Sequence, residues 1–259
     1  MKAVYMEVDG HVPSADELAT PALSGYGHFT AMQVRDLRTC GIEFHTARLD
    51  AATRELFGVG LDGERVRGLI RHALGASRPD ASVRVNVFSP EENGDVSVLV
   101  SVRPPQPMLP GPWKLSAVRY QRPFAHVKHV GGFAQGRYNR LVAKSGFDEA
   151  LLVGDDGLVA EGAITNIGFI DGDTVLWPEA PMLLGIGMQV LERELGRAGV
   201  ETARRRITLD DLDSLDGVFV TNSRGIAAVG RIDAWAAAAD TPLLEKVLGL
   251  HATAPWEAI

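Results

Sequence analysis

The sequence predicts a mixed α and β fold, α+β in class, with more antiparallel character than a doubly wound sheet. Three observations predict it. Short strand-like runs recur along the whole chain, amphipathic stretches at helical spacing lie between them, and several of the strands are joined by tight Asp-Gly or Glu-Gly turns. The segment RPPQPMLPGP, residues 103–112, has five prolines in ten positions. Proline cannot donate to a sheet interior, so this stretch is a loop or a linker. The pattern changes character beyond it. We therefore expect a smaller N-terminal α/β domain over 1–104, a Pro-rich linker over 105–112 and a larger strand-rich C-terminal domain over 113–259. A surface loop inside one domain would have the same composition.

In the first part, Val4–Val8 and Phe29–Val34 have strand composition, and the Ser-, Pro- and Gly-rich stretch Pro13 to Gly27 between them reads as loop or turn. Leu49, Ala52 and Leu56 recur at helical spacing within Phe44–Phe57, with Gly58 as a stop, and Gly63–Gly75 is a second amphipathic helix. Ser82–Phe88 and Asp95–Val102 alternate apolar and polar residues around a turn at Glu91–Gly94, the pattern of a hairpin.

Beyond the linker, strands are expected at Trp113–Tyr120, Glu149–Val153, Gly157–Ala160, Asn166–Asp171, Thr174–Trp177, Thr202–Thr208, Gly217–Thr221 and Ile226–Val229. Helices are expected at Gln135–Lys144 and Gly187–Ala198. The alanine run Ala236–Ala239 with Pro242–Leu250 suggests a closing helix.

Composition excludes several classes of function. The 259 residues include 26 Lys and Arg against 33 Asp and Glu, a formal charge of -7, which does not suit a nucleic-acid binder. Cys40 is the single cysteine, so neither an internal disulfide nor a cysteine-based zinc site is expected. The N-terminus lacks the apolar core of a signal peptide, and no apolar run approaches a membrane span, so the expectation is a soluble cytoplasmic protein.

Only five residues are lysine, which leaves few candidates for amine chemistry. Lys128, in HVKHVGG, lies within an apolar strand-like context beside two glycines. Most lysines are solvated; a buried one loses its charge readily and becomes nucleophilic. His126 and His129 flank it but fall on opposite faces of a strand with no accompanying carboxylate, so no metal site is expected. His45 and Arg48 are one turn apart on a helix face, a spacing that a solvated basic patch also satisfies. Glu161 lies between two apolar segments and precedes Gly162. Gly185-Ile186-Gly187 opens a helix, where exposed amides suit a phosphate; a flexible loop has the same composition. Thr221–Gly225 is a polar turn. A lysine amine, a carboxylate, an arginine and a phosphate cradle together are what pyridoxal phosphate needs.

Taken in order, these segments resemble the class IV, fold-type IV aminotransferase family. That family includes branched-chain and D-amino-acid aminotransferases, (R)-selective amine transaminases and aminodeoxychorismate lyase. The resemblance runs from about Gly25 to Ile232. It rests on GYGHFTAMQVRD, on His45-x-x-Arg48-Leu49, on Lys128, and most of all on GFDEALLVGDDGLVAEGAITNIGFI at 146–170. LLGIGM at 183–188 and FVTNSRGIAAVGRID at 219–233 complete it.

The resemblance implies pyridoxal 5'-phosphate as cofactor, held in the C-terminal domain, with Lys128 as the Schiff-base lysine and proton shuttle. Glu161 would face the pyridine nitrogen, and Arg48 would grip the phosphate. Ile186 and Gly187 would offer backbone amides to it, with Ser223 and Arg224 completing the cradle and Asn166 supporting the Glu161 turn. Phe29, Thr30, Met32 and Phe133 would line the substrate pocket.

The chain departs from well-known subfamilies at three points. Phe133 stands where branched-chain enzymes often have tyrosine, Thr30 stands where they have glutamate, and Arg84 lies two positions from the carboxylate-binding arginine of the D-amino-acid enzymes. The activity implied is a ping-pong aminotransferase moving an amino group between an amino acid or amine and a 2-oxo acid, in a homodimer. The alternatives are an aminodeoxychorismate-type lyase and a non-catalytic descendant. Retention of Lys128, Glu161 and Arg48 together argues against the last.

Overall fold

The computed structural model describes residues 5–91 and 94–259. Its strands and helices mix as the fold class requires, and they form two compact units. The first comprises the described residues up to Pro107, with Val127–Gly131 and Pro255–Ile259; the second comprises Met108–His126 and Gly132–Ala254.

The first unit is built on β1 (Tyr5–Val8), β2 (His28–Val34), β4 (Ala81–Phe88) and β5 (Ser97–Arg103), antiparallel in the order β1-β5-β4-β2. Alternation along the strands sends Val83, Val85, Val87, Val98, Val100 and Val102 to one face. There they pack with Ile42 and Leu49 of α2 (Ile42–Phe57) and with Val66 and Ile70 of α3 (Gly63–Leu74). Each such side chain contributes about 1.5–3 kcal/mol when fully buried. The opposite face carries Phe29, Arg84 and Asn86, as the register Phe29↔Asn86 and Ala31↔Arg84 requires. A short pair joins β3 (Arg38–Thr39) to β15 (Glu257–Ala258). Gly58 closes α2 with φ 74°, a left-handed conformation that suits glycine.

In this unit the structure corrects one expectation. Part of the stretch read as loop is α1 (Ala15–Leu23), started by a capping box in which Ser14 accepts from Glu17 N–H and the Glu17 carboxylate accepts from Ser14 N–H. Pro21 and the neighbouring glycines had masked that S-x-x-E signal. Val4 of the first expected strand, and Glu92 and Asn93 of the expected hairpin turn, lie outside the described residues.

The second unit holds β6 (Trp113–Arg119), α4 (Phe133–Ala143), β7 (Glu149–Val153), β8 (Val159–Gly162), β9 (Asn166–Asp171), β10 (Thr174–Pro178), α5 (Ile186–Arg197), β11 (Glu201–Arg205), β12 (Gly217–Asn222), β13 (Gly225–Ile232), β14 (Trp235–Ala236) and α6 (Pro242–Ala252). Its strands form one mixed sheet in the order β11-β10-β9-β12-β13-β6-β7-β8, with β14 beside β13. The sheet curls until its ends meet. Val159 N–H, on the last strand of that order, donates to Ile207 O just beyond β11 at 2.8 Å.

Inside the curl pack Leu115, Leu151, Ile167, Phe169, Val218 and Val229. Met188, Leu191 and Leu195 of α5 and Leu244 and Val247 of α6 cover Trp177 and Phe219 on another face. Several boundaries differ from the sequence expectation, among them Thr202–Thr208, which forms a strand only over Glu201–Arg205, and two have a local cause. The alanine run forms no helix, because Trp235–Ala236 pairs with Arg231 and Ile232 instead. The expected strand Gly157–Ala160 shifts to Val159–Gly162, since Gly157 is used in the turn at φ 83°.

Candidate active site

In the first unit, Lys128 does not lie on a strand as expected. It occupies an irregular segment held along the start of β2: Phe29 N–H donates to Lys128 O at 2.9 Å, and Val130 N–H donates to Gly27 O at 3.0 Å. Gly27 is required there, because a Cβ would stand 2.8 Å from Val87 O and φ is 153°. Lys128 is half-buried, with Nζ 5.0 Å from the centroid of the Phe29 ring. The Arg84 guanidinium stacks on that ring at 3.5 Å, and its Nε donates to Asn86 Oδ1 at 2.9 Å. Burial, then the charge of Arg103, lowers Arg84 to about 10.

On the other face of β2, Thr30 meets α2. Its Oγ1 lies 2.6 Å from His45 Nδ1 and accepts from Arg48 Nη2. His45 is fully enclosed, its Nε2 has no hydrogen-bond partner, and burial followed by the charges of Arg48 and Lys128 holds its pKa well below the ordinary histidine range. Burial thus favours the neutral form of a ring that packs beside the Arg48 guanidinium.

Of the residues expected to line a substrate pocket, Phe29 is near Lys128 and is half-buried. Met32 does not fit that expectation. It points with Val34 into the hydrophobic core and is 1% exposed, because the strand alternation places it on the helix-covered face. Thr30 is also fully buried, its hydroxyl engaged by His45 and Arg48.

In the second unit, Glu161 is the penultimate residue of β8, opposite Leu152 of β7. Its carboxylate is buried. Oε2 accepts Leu183 N–H at 3.2 Å, and Arg122 Nη1 stands 3.4 Å from Oε1 with both side chains 7% exposed or less. Asn166 opens β9, and its Nδ2 donates to Leu183 O at 2.7 Å. The same short loop is thus bonded on both sides, and it leads directly into α5 through Gly185-Ile186-Gly187.

Neither glycine has room for a side chain. A Cβ on Gly185 would collide with Asn166 Oδ1, and one on Gly187 would stand 2.5 Å from Asn222 O and 2.7 Å from Thr221 Oγ1. Ser223 and Arg224 form the turn between β12 and β13, where Arg224 N–H donates to Asn222 Oδ1 at 2.8 Å. Phe133 starts α4 and is 83% exposed. Among the described residues no cluster of ligating side chains could hold a metal ion, and no helix is long and apolar enough to cross a membrane.

Sequence reasoning passed over Arg122. A lone arginine after the β6 strand carries no spacing signal, and only the fold brings it to Glu161.

An antiparallel sheet backed by helices and a closed mixed sheet, with these motifs placed on them, define a fold-type IV protein. The model of the amino-transferase class IV family matches residues 27–232, and the chain belongs to that family. A probable branched-chain-amino-acid aminotransferase of Rickettsia bellii is 24% identical over 149 residues, 55% of this chain and 51% of that protein. The chain spans about half the length, or less, of the curated relatives it matches. Among solved structures, a hypothetical aminotransferase of Mycobacterium tuberculosis in its PLP-bound form is 22% identical with a TM-score of 0.83, covering 97% of this chain and 98% of that one. A Legionella pneumophila protein provisionally named a 4-amino-4-deoxychorismate lyase is 20% identical with a TM-score of 0.81, covering 91% and 93%. At these identities the structural likenesses establish the fold.

Proposed function

We propose that the chain is a pyridoxal-phosphate-dependent aminotransferase that moves an amino group between an amino acid or amine and a 2-oxo acid. The observation that carries this reading is the bond from Leu183 N–H to Glu161 Oε2. It fixes a buried carboxylate to the loop that opens α5, so a partner for a basic ring nitrogen and a phosphate-type helix start form one rigid piece. The glycine positions fit the group, since the start of α5 at 185 and 187 packs too closely for any Cβ and a helix N-terminus turns its first amides outward. The family membership supports the same cofactor.

When bound, pyridoxal phosphate supplies an aldehyde for the amino group and an electron sink for the substrate carbanion, in a ping-pong cycle. Lys128 would hold it covalently and then move the proton at the substrate Cα. Glu161, paired with Arg122, would keep the ring nitrogen protonated. Arg48 would bind the phosphate, with the amides of Ile186 and Gly187 and the turn at Ser223 and Arg224. Asn166 would hold the 183 loop in place. Phe29 and Phe133 would bound the substrate.

The same reading includes a homodimer in the cytoplasm. Exposed Phe124 and Phe133 are the kind of apolar surface an interface covers, and a single half-buried cysteine suits a reducing compartment. The test is a half-reaction panel on cofactor-loaded protein. Conversion of the bound cofactor to its amine form by amino acids, reversed by 2-oxo acids, is expected. Release of pyruvate from aminodeoxychorismate without that conversion would make the protein a lyase instead.

A further inference from the structure

One buried ionisable group has no part in that chemistry. Glu149, at the start of β7, is 1% exposed. Its two oxygens reach across to the turn that joins β8 to β9. Oε1 accepts Ile164 N–H at 2.5 Å, and Oε2 accepts the Thr165 hydroxyl at 2.9 Å. Ala163 N–H donates to Ala150 O beside it at 2.9 Å. The turn is held from the other side as well, where Asn222 Nδ2 donates to Ile164 O at 3.3 Å. Gly162 leaves the space for this clamp, since a Cβ there would stand 2.8 Å from Glu149 Oε1 and collide with Thr165 Oγ1.

The clamped turn begins one residue after Glu161, beyond Gly162, and ends directly before Asn166. We propose that Glu149 is a positioning residue that sets the carboxylate of Glu161 and the amide of Asn166 by locking the turn between them. This rests on the reading that Glu161 meets the ring nitrogen of pyridoxal phosphate. The charged groups bearing on Glu149 are Glu161 and, through it, Arg122; on the helix side Asn139 Oδ1 accepts the Ala150 N–H at 2.8 Å. Burying a second carboxylate near Glu161 is costly, as the rise of Glu149 to about 7 by burial shows, and the turn bonds offset part of that cost.

The experiment measures pyridoxal phosphate affinity of the apoprotein and the ring-nitrogen protonation by 15N NMR of labelled cofactor. It compares wild type, Glu149→Ala, Glu149→Gln, Thr165→Val and Glu161→Gln. Glu149→Ala is expected to bind about tenfold or more weakly and to lose ring-nitrogen protonation as Glu161→Gln does. Glu149→Gln, whose amide oxygen still accepts Ile164 N–H, should restore both. Thr165→Val, nearly isosteric and lacking one of the two bonds, should give a smaller loss and keeps the test open if the alanine variant does not fold. Wild-type affinity and 15N shift in Glu149→Ala, or in Thr165→Val where alanine fails to fold, with Glu161→Gln altered, would overturn this inference alone. No uptake by wild type, or an unchanged shift in Glu161→Gln, would overturn the cofactor reading and the inference with it.

Discussion

Arg122 Nη1 stands 3.4 Å from Glu161 Oε1, and both side chains are buried. A carboxylate enclosed in protein keeps its charge only with such a partner. Removing Arg122 takes a paired cation away from the buried Glu161 carboxylate, at an expected cost of about 3–5 kcal/mol. Denaturant unfolding of Arg122→Ala measures this. A loss below about 1 kcal/mol would mean that the pair contributes little.

Thr30 Oγ1 serves His45 Nδ1 and Arg48 together. Thr30→Val keeps the shape and removes both bonds, leaving a second enclosed ring nitrogen on His45 without a partner. We expect a stability loss of about 1–3 kcal/mol and weaker binding of pyridoxal phosphate, with Thr30→Ser close to wild type. Equal phosphate affinity in Thr30→Val would show that Arg48 needs no such support.

Two buried groups bend the pH dependence of stability in opposite directions. Glu149 is pushed by burial from an ordinary 4.5 up to about 7, so between those values the unfolded chain holds fewer protons. Its contribution to stability therefore falls as pH rises through that window. His28, bonded to Thr53 at 3.0 Å, is lowered by burial, then by Arg48, from 6.5 to about 4. There the unfolded chain holds more protons, so its contribution is lost as pH falls below 6.5. Either slope is at most about 1.4 kcal/mol per pH unit. Unfolding titrations at about pH 5 and about pH 7 should show Glu149→Gln gaining on wild type toward the higher pH. A constant difference across the range would contradict the raised value.

Gly187→Ala would push a methyl against Thr221 Oγ1 and into Asn222 O, a backbone atom of a paired strand that cannot swing away. The expected result is about 1–3 kcal/mol of destabilisation with weakened cofactor phosphate binding. Gly168→Ala, which meets the Phe219 ring in the core, should destabilise similarly. The informative readout is affinity for pyridoxal phosphate at a temperature where both variants are folded. Equal affinity in the two would remove α5 from the phosphate site.

Much of this fold was legible in the sequence because its strands alternate and its turns carry glycine. β7 and β9, read from strand composition and flanking turns, and α5, read from helical spacing, sit within a residue of where the sequence places them. The motif block 146–170 was legible as well, since Glu161, Gly162 and Asn166 are fixed by close packing that tolerates few other residues. Three features were not. Helix α1 hides behind Pro21, and its capping box was the signal that could have found it. Met32 reads as a pocket residue by position, yet strand alternation turns it to the core. Arg122 and the turn clamp of Glu149 depend on contacts between segments far apart in sequence, which no local pattern encodes.

Of the five lysines, Lys128 is the one proposed to hold pyridoxal phosphate. Apoprotein incubated with the cofactor, reduced with borohydride and mapped by peptide mass spectrometry tests it directly. A yellow protein that bleaches on reduction is expected, with one cofactor fixed to the peptide containing Lys128 and none fixed in Lys128→Ala. A colourless protein, or the label on Lys114, Lys144 or another lysine, would contradict it.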